Sequence, residues 1–204
     1  APGRRSPARH RSRAPAGRSE TGGTAHQVRP EDARWLRAAA SLAERARPLS
    51  HPNPAVGALI VKDRILLGRG WTGAGGRPHA EAVALAQAGE AARGATLYVT
   101  LEPCAHKSDR GPACADELVN AALARAVIGT GDPDPRTAGE GIARLETAGI
   151  AVTVTDDEAC RASLAGYLTR AGKGRPFVTL KLAVTSDGFI ARADGTSRWI
   201  TGEA

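Results

Sequence analysis

Methionine is absent from the 204 residues, and aromatic side chains supply only 3% of them. The first absence implies that Ala1 is not an untouched translation start; the second leaves Leu, Val, Ile and Ala to build the core. No apolar run approaches ~18 residues, which excludes a transmembrane helix and leaves a membrane out of the expected partners. No apolar stretch follows the basic beginning of the chain, which argues against a secretory signal. Cysteine is scarce as well. Three in a chain of this length do not make a disulfide framework and point instead to metal binding or catalysis in a reducing, cytoplasmic setting. What the chain does have is 42% hydrophobic residues, enough for a packed core.

The formal charge of +7 is unevenly spread. Residues 1–27 hold six arginines against one acid, Glu20, so the remaining 177 residues carry a net charge of only +2. That basic tail is rich in Pro, Gly, Ser and Ala and has almost no large apolar side chain, so it reads as a disordered extension. Targeting or nucleic-acid contact is the competing reading of the tail. Nucleic acid is not favoured as a partner, because the body of the chain is nearly neutral.

Folding begins near Arg29-Pro30-Glu31-Asp32, where a proline and first-turn acids suit a helix start. A helix is expected over 33–47, a hairpin from the apolar runs 55–61 and 65–70, and a helix over 79–89. A buried strand over 95–101 follows, then a helix (113–124), a strand (125–130), a helix (138–148), a strand (150–155) and a further helix (156–171). This alternation predicts an α/β sandwich around a largely parallel sheet opened by an antiparallel hairpin. Residues 28–171 form the expected main domain and 172–175 a linker. A strand starting at Phe177 opens a second unit, 176–204, too short for a core of its own.

The chemistry sits in His79-Ala80-Glu81 and in Pro103-Cys104 followed by Cys114. One imidazole and two thiolates suit Zn²⁺, and three protein ligands leave a fourth tetrahedral position for water, the catalytic arrangement. His79 and Cys114 each open a predicted helix, whose N-terminus favours a thiolate nearby. Glu81, two residues past one ligand, is the expected proton carrier. A closed structural site with His106 as fourth ligand is the alternative. His-x-Glu with a distant Pro-Cys is the pattern of zinc deaminases that act on nucleobases. Cys160 lies in a helix without partners and reads as packing.

Several segments carry a closer resemblance: Pro52-Asn53-Pro54-Ala55-Val56-Gly57, Pro78-His79-Ala80-Glu81, the run from Gly94 to His106, and Asp132-Pro133. Together they resemble the deaminase domain of the bifunctional riboflavin-biosynthesis deaminase/reductase family, from about residue 30 to the last residue. The resemblance implies a cytidine-deaminase-like three-layer α/β/α sandwich. It also implies hydrolytic deamination of 2,5-diamino-6-(5-phosphoribosylamino)pyrimidin-4(3H)-one, a small-molecule substrate. Asn53 and His106 would hold the pyrimidine or ribose, Arg110 the phosphate, and Asp132 with Asp134 the sugar end. Nine residues separate the two cysteines, a long loop carrying Lys107 and Arg110, where deaminases of tRNA adenosine and of cytidine have Cys-x-x-Cys. This loop is one residue longer than the common family form, Ala105 follows the first cysteine, Thr72 follows Trp71, and Asp134 stands in the Asp-Pro-Asp-Pro segment.

Residues from Arg175 to Gly202 resemble the opening of the family's NADPH-dependent reductase, a dihydrofolate-reductase-like domain. The resemblance places Val184 and Trp199 against the nicotinamide nucleotide and Ser197 and Lys181 near the substrate. So short a piece lacks a complete cleft, and reduction is expected only of a complete protein. A deaminase of RNA or of another nucleobase, or a non-catalytic zinc module, are the competing functions. The sequence leaves homo-oligomerisation open.

Overall fold

The computed structural model describes residues 28–106 and 108–198. The expectations for the tail 1–27, for Lys107 and for Trp199 therefore lie outside the described residues.

Helix α1 (Asp32–Ala43) starts where Pro30 and the acids place it and buries Leu36, Ala39, Ala40 and Ala43. Strands β1 (Gly57–Lys62) and β2 (Ile65–Trp71) form the expected hairpin. Helix α2 (Ala80–Ala88), strand β3 (Thr96–Val99) and helix α3 (Cys114–Asn120) follow. Strand β4 (Arg125–Ile128), helix α4 (Glu140–Thr147) and strand β5 (Ala151–Val154) complete the alternation. The single helix expected over 156–171 is two: α5 (Glu158–Ser163) and α6 (Ala165–Lys173). They part at Leu164, whose φ of −103° and ψ of 5° leave the helical range. Helix α6 also takes in Gly172 and Lys173, half of the expected linker, before Gly174 ends it in a left-handed conformation.

The strand order is β2-β1-β3-β4-β5. Strand β1 runs antiparallel to both β2 and β3, whereas β3, β4 and β5 are parallel, so the sheet is mixed. One face packs Leu59, Val61, Tyr98 and Val127 against α1 and Cys160 of α5. The other packs Ala58, Ile60, Leu97, Val99, Ala126 and Ile128 against residues of α2, α3 and α4. Helix–sheet–helix is the three-layer arrangement expected, and it lets both parallel crossovers bury apolar surface. Cys160 is fully buried and packs in the core as expected.

With so few large side chains, the layers close by approach of backbones. A Cβ at residue 68 would stand 2.1 Å from the Ala84 carbonyl oxygen, and one at residue 70 would stand 2.2 Å from that of Ala80. Glycine on β2 and alanine on α2 thus bring the helix that presents the site directly onto the sheet. Gly68→Ala should lower stability by about 1–3 kcal/mol, the cost of overpacking. Urea unfolding reads this as a lower midpoint at unchanged slope.

A buried ion pair ties α1 to β4. Arg125 on β4 donates to both oxygens of Asp32 on α1, each at 2.8 Å, while the Tyr98 hydroxyl donates to Asp32 Oδ1 at 3.1 Å. Asp32 is 0% exposed and Arg125 4%. Burial alone would raise the Asp32 carboxyl, but Arg125, the Arg29 N–H and Tyr98 more than offset this and hold it below the ordinary carboxylate range.

The strand expected from Phe177 is not formed among the described residues: 177–184 carries no regular secondary structure. Phe177, Val178, Leu180, Leu182 and Val184 are all exposed. A period-2 pattern reports only one chain, whereas a strand also needs a neighbour to take its N–H and C=O groups. No described helix is long and apolar enough to cross a membrane.

Candidate active site

Three elements bring the predicted ligands together. His79 is the residue that caps the start of α2, Cys104 lies in the loop after β3, and Cys114 is the first residue of α3. Their ligand atoms all lie within 4.8 Å of one another. His79 turns Nδ1 to the thiols, 3.2 Å from Cys114 Sγ and 3.6 Å from Cys104 Sγ. The Cys114 N–H donates to Cys104 Sγ at 3.3 Å, so the start of α3 aims its positive end at the sulfur.

The titration of these groups follows from their crowding. The hydrogen bond from Cys114 pushes Cys104 down to about 4, against the effect of burial. Sharing that proton holds Cys114 well above an ordinary thiol, and burial adds to the effect. Burial also lifts Glu81, 4% exposed in the first turn of α2, to about 7. One imidazole nitrogen and two sulfurs form a largely buried donor set that matches zinc in type and number. His106 does not join the set: its Nδ1 lies 3.4 Å from Thr137 Oγ1 on the cleft wall. The closed four-ligand alternative is thereby not what the fold builds among the described residues.

The donor set opens into a cleft of about 650 Å³ lined by Asn53, His106, Arg110, Asp132 and Asp134. All five predicted substrate-contact residues thus share the cavity with His79, Cys104 and Glu81. The Asn53 amide lies 3.2 Å from His79 Nε2 and donates to the Gly76 carbonyl at 2.9 Å. Arg110 reaches back to the Gly75 carbonyl at 2.7 Å. Asp132 accepts the Tyr167 hydroxyl proton at 2.6 Å, and Asp134 is held by Arg136.

Sequence reasoning missed several residues of this cleft, four of them polar groups at its mouth and floor. Arg77, Tyr167 and Arg170 line it from the loop before α2 and from α6, and Glu102 lines it from beside Cys104. Only Glu102 lay inside a quoted motif, and none of the four carries a local spacing signal. Thr72 has a clear use: its hydroxyl donates to Pro54 O and accepts the Val56 N–H, pinning the loop that carries Asn53. Lys181, Val184 and Ser197 do not join the cleft lining and sit on an exposed segment.

A mixed sheet sandwiched by helices, with one histidine and two cysteines gathered beside a buried glutamate, is the architecture of the zinc-dependent deaminases. Residues 29–130 match the family model for the cytidine and deoxycytidylate deaminase zinc-binding region, half of the chain, and the chain belongs to that family. Among curated relatives, the riboflavin biosynthesis protein RibD of Escherichia coli is 46% identical over 84% of this chain and 47% of its own length. The crystal structure of the Thermotoga maritima diaminohydroxyphosphoribosylaminopyrimidine deaminase/5-amino-6-(5-phosphoribosylamino)uracil reductase is 38% identical, with a TM-score of 0.76. It is matched over 84% of this chain and 50% of its own. Acinetobacter baumannii RibD is 45% identical with a TM-score of 0.72, over 84% and 48% of the two chains. The chain spans about half the length of the relatives it matches.

Proposed function

We propose that the chain carries out the deaminase step of riboflavin biosynthesis: 2,5-diamino-6-(5-phosphoribosylamino)pyrimidin-4(3H)-one and water give 5-amino-6-(5-phosphoribosylamino)uracil and ammonia. The carrying observation is a single cleft that joins a buried carboxylate and an N/S/S donor set to Arg110 on the long inter-cysteine loop. His79, Cys104 and Cys114 would hold zinc, which when bound supplies a Lewis acid that makes water nucleophilic near neutral pH. Glu81 would accept a proton from the attacking water and deliver it to the ring nitrogen, then carry the second proton, from the added hydroxyl, to the leaving amine. The C–NH₂ bond breaks, a C=O takes its place, and the amine leaves as ammonia.

Asn53 and His106 face the ring and ribose in this reading, Asp132 and Asp134 the sugar end, and Arg110 the phosphate. The Arg77 and Arg170 guanidiniums, bonded to neutral oxygens of Ser108 and Pro52, add positive charge to the same mouth. A polynucleotide substrate is the poorer fit, because the cleft is walled by an arginine-bearing loop and, among the described residues, Tyr167 is its one lining Phe, Tyr or Trp. Reduction of the product's ribosyl group with NADPH is proposed only for a complete protein in which the segment from residue 176 gains its partners. Cytoplasmic location belongs to the same proposal.

The test is ammonia release from the diaminopyrimidine phosphate by zinc-loaded protein. Chelation confirmed by metal analysis should abolish turnover, and restored zinc should return it. Silence on this substrate together with deamination of an RNA would overturn the reading, as would turnover by verified zinc-free protein.

A further inference from the structure

Glu102 is 4% exposed, yet it forms no ion pair with any described side chain. Its carboxylate is spent on backbone instead. Oε1 accepts the N–H groups of Gly141 at 3.1 Å and Ile142 at 3.2 Å, and Oε2 accepts those of Gly139 and Asp132, both at 3.2 Å. The first N–H groups of a helix have no partner within it, and Gly139, at the capping position of α4, has no side chain to offer them. Glu102 supplies the missing cap from a different part of the chain, 39 residues earlier than Gly141. Negative charge at that end of α4 is also favoured by the helix dipole. The fit is built: a Cβ at residue 141 would stand 2.0 Å from the Pro103 carbonyl oxygen and 3.2 Å from Glu102 Oε1.

This cradle joins two sides of the cleft. Glu102 stands two residues before Cys104, and the segment it grips, 132–142, carries Asp132, Asp134 and Thr137, the last of these beside His106. Cys104 has its own anchors, since its carbonyl accepts the Ala115 N–H and its sulfur the Cys114 N–H. Loss of the Glu102 cradle would therefore release the substrate-facing wall while leaving the metal ligands held.

We infer that Glu102 is a positioning residue that sets substrate affinity by clamping the 132–142 wall onto the cleft through four backbone N–H groups. The inference rests on the deaminase reading above. Glu102→Gln keeps the shape but turns one acceptor into an NH₂ that faces N–H donors. It should raise KM for the diaminopyrimidine phosphate by about tenfold or more, keep kcat within about threefold, and leave zinc at one per chain. An unchanged KM, or zinc and kcat lost together at constant KM, overturns the inference. Amide hydrogen exchange on the unaltered zinc-loaded protein decides the matter without a variant: Asp132, Gly139, Gly141 and Ile142 should be protected as one group. Exchange of these amides at unprotected rates overturns the cradle even if Glu102→Gln fails to fold. Wild-type protein inactive on the substrate but with the four amides protected would defeat the functional reading and leave the cradle standing.

Discussion

Glu81→Gln should retain zinc and lower kcat by about 10²–10⁴-fold, the range for removing a positioned proton carrier. The substitution is nearly isosteric, and the side chain is buried in the first turn of α2, so the fold and the donor set have no reason to move. What changes is proton capacity. The Glu81 carboxyl, raised to about 7 by burial, is poised to take and return a proton near neutral pH, whereas an amide can do neither. Metal analysis paired with steady-state ammonia release checks this. Turnover within about threefold of wild type at full zinc occupancy would remove Glu81 from the proton-carrying role.

Asp32→Ala should cost about 3–5 kcal/mol of stability, because it leaves the Arg125 guanidinium buried without its counter-charge. Arg125→Met in the same background should recover part of that loss, since removing both charges leaves less to desolvate than removing one. Urea denaturation of the two variants and the parent gives the comparison. In the parent the direction with pH follows from the carboxyl's depressed titration. Its stabilisation is fully present above the range of an unfolded aspartate, near ~3.9, and is lost as pH falls through the lower value of the folded state. A parent protein whose stability stays flat on acidification through that range would contradict this account.

The two predictions draw on features of unequal visibility in the sequence. His79, Glu81, Cys104 and Cys114 were readable because zinc chemistry restricts residue type and because each sits at a helix start or strand end that local pattern marks. The hairpin, the parallel strands and most helices were readable from apolar runs and Gly/Pro punctuation. Asp32 and Arg125 were not, since a pair 93 positions apart leaves no local period. Nor were the roles of Glu102 and Tyr167, whose partners are backbone amides and a carboxylate on distant loops. The break at Leu164 escaped because the apolar pattern continues through it. The strand from Phe177 failed for a different reason: pairing is a property of a neighbour, which a local pattern does not report.

That unpaired stretch has a practical consequence for handling the molecule. Val178, Leu180, Leu182 and Val184 alternate with other residues along the sequence, each between 46% and 77% exposed. Such a ribbon is a template for intermolecular β-addition. Lys181, set within it, and Arg175, just ahead of it, are the only cationic gatekeepers along 175–184. Charge placed at Val178, Leu180 or Leu182, none of which lines the cleft, should improve solubility at high concentration while leaving deamination unchanged.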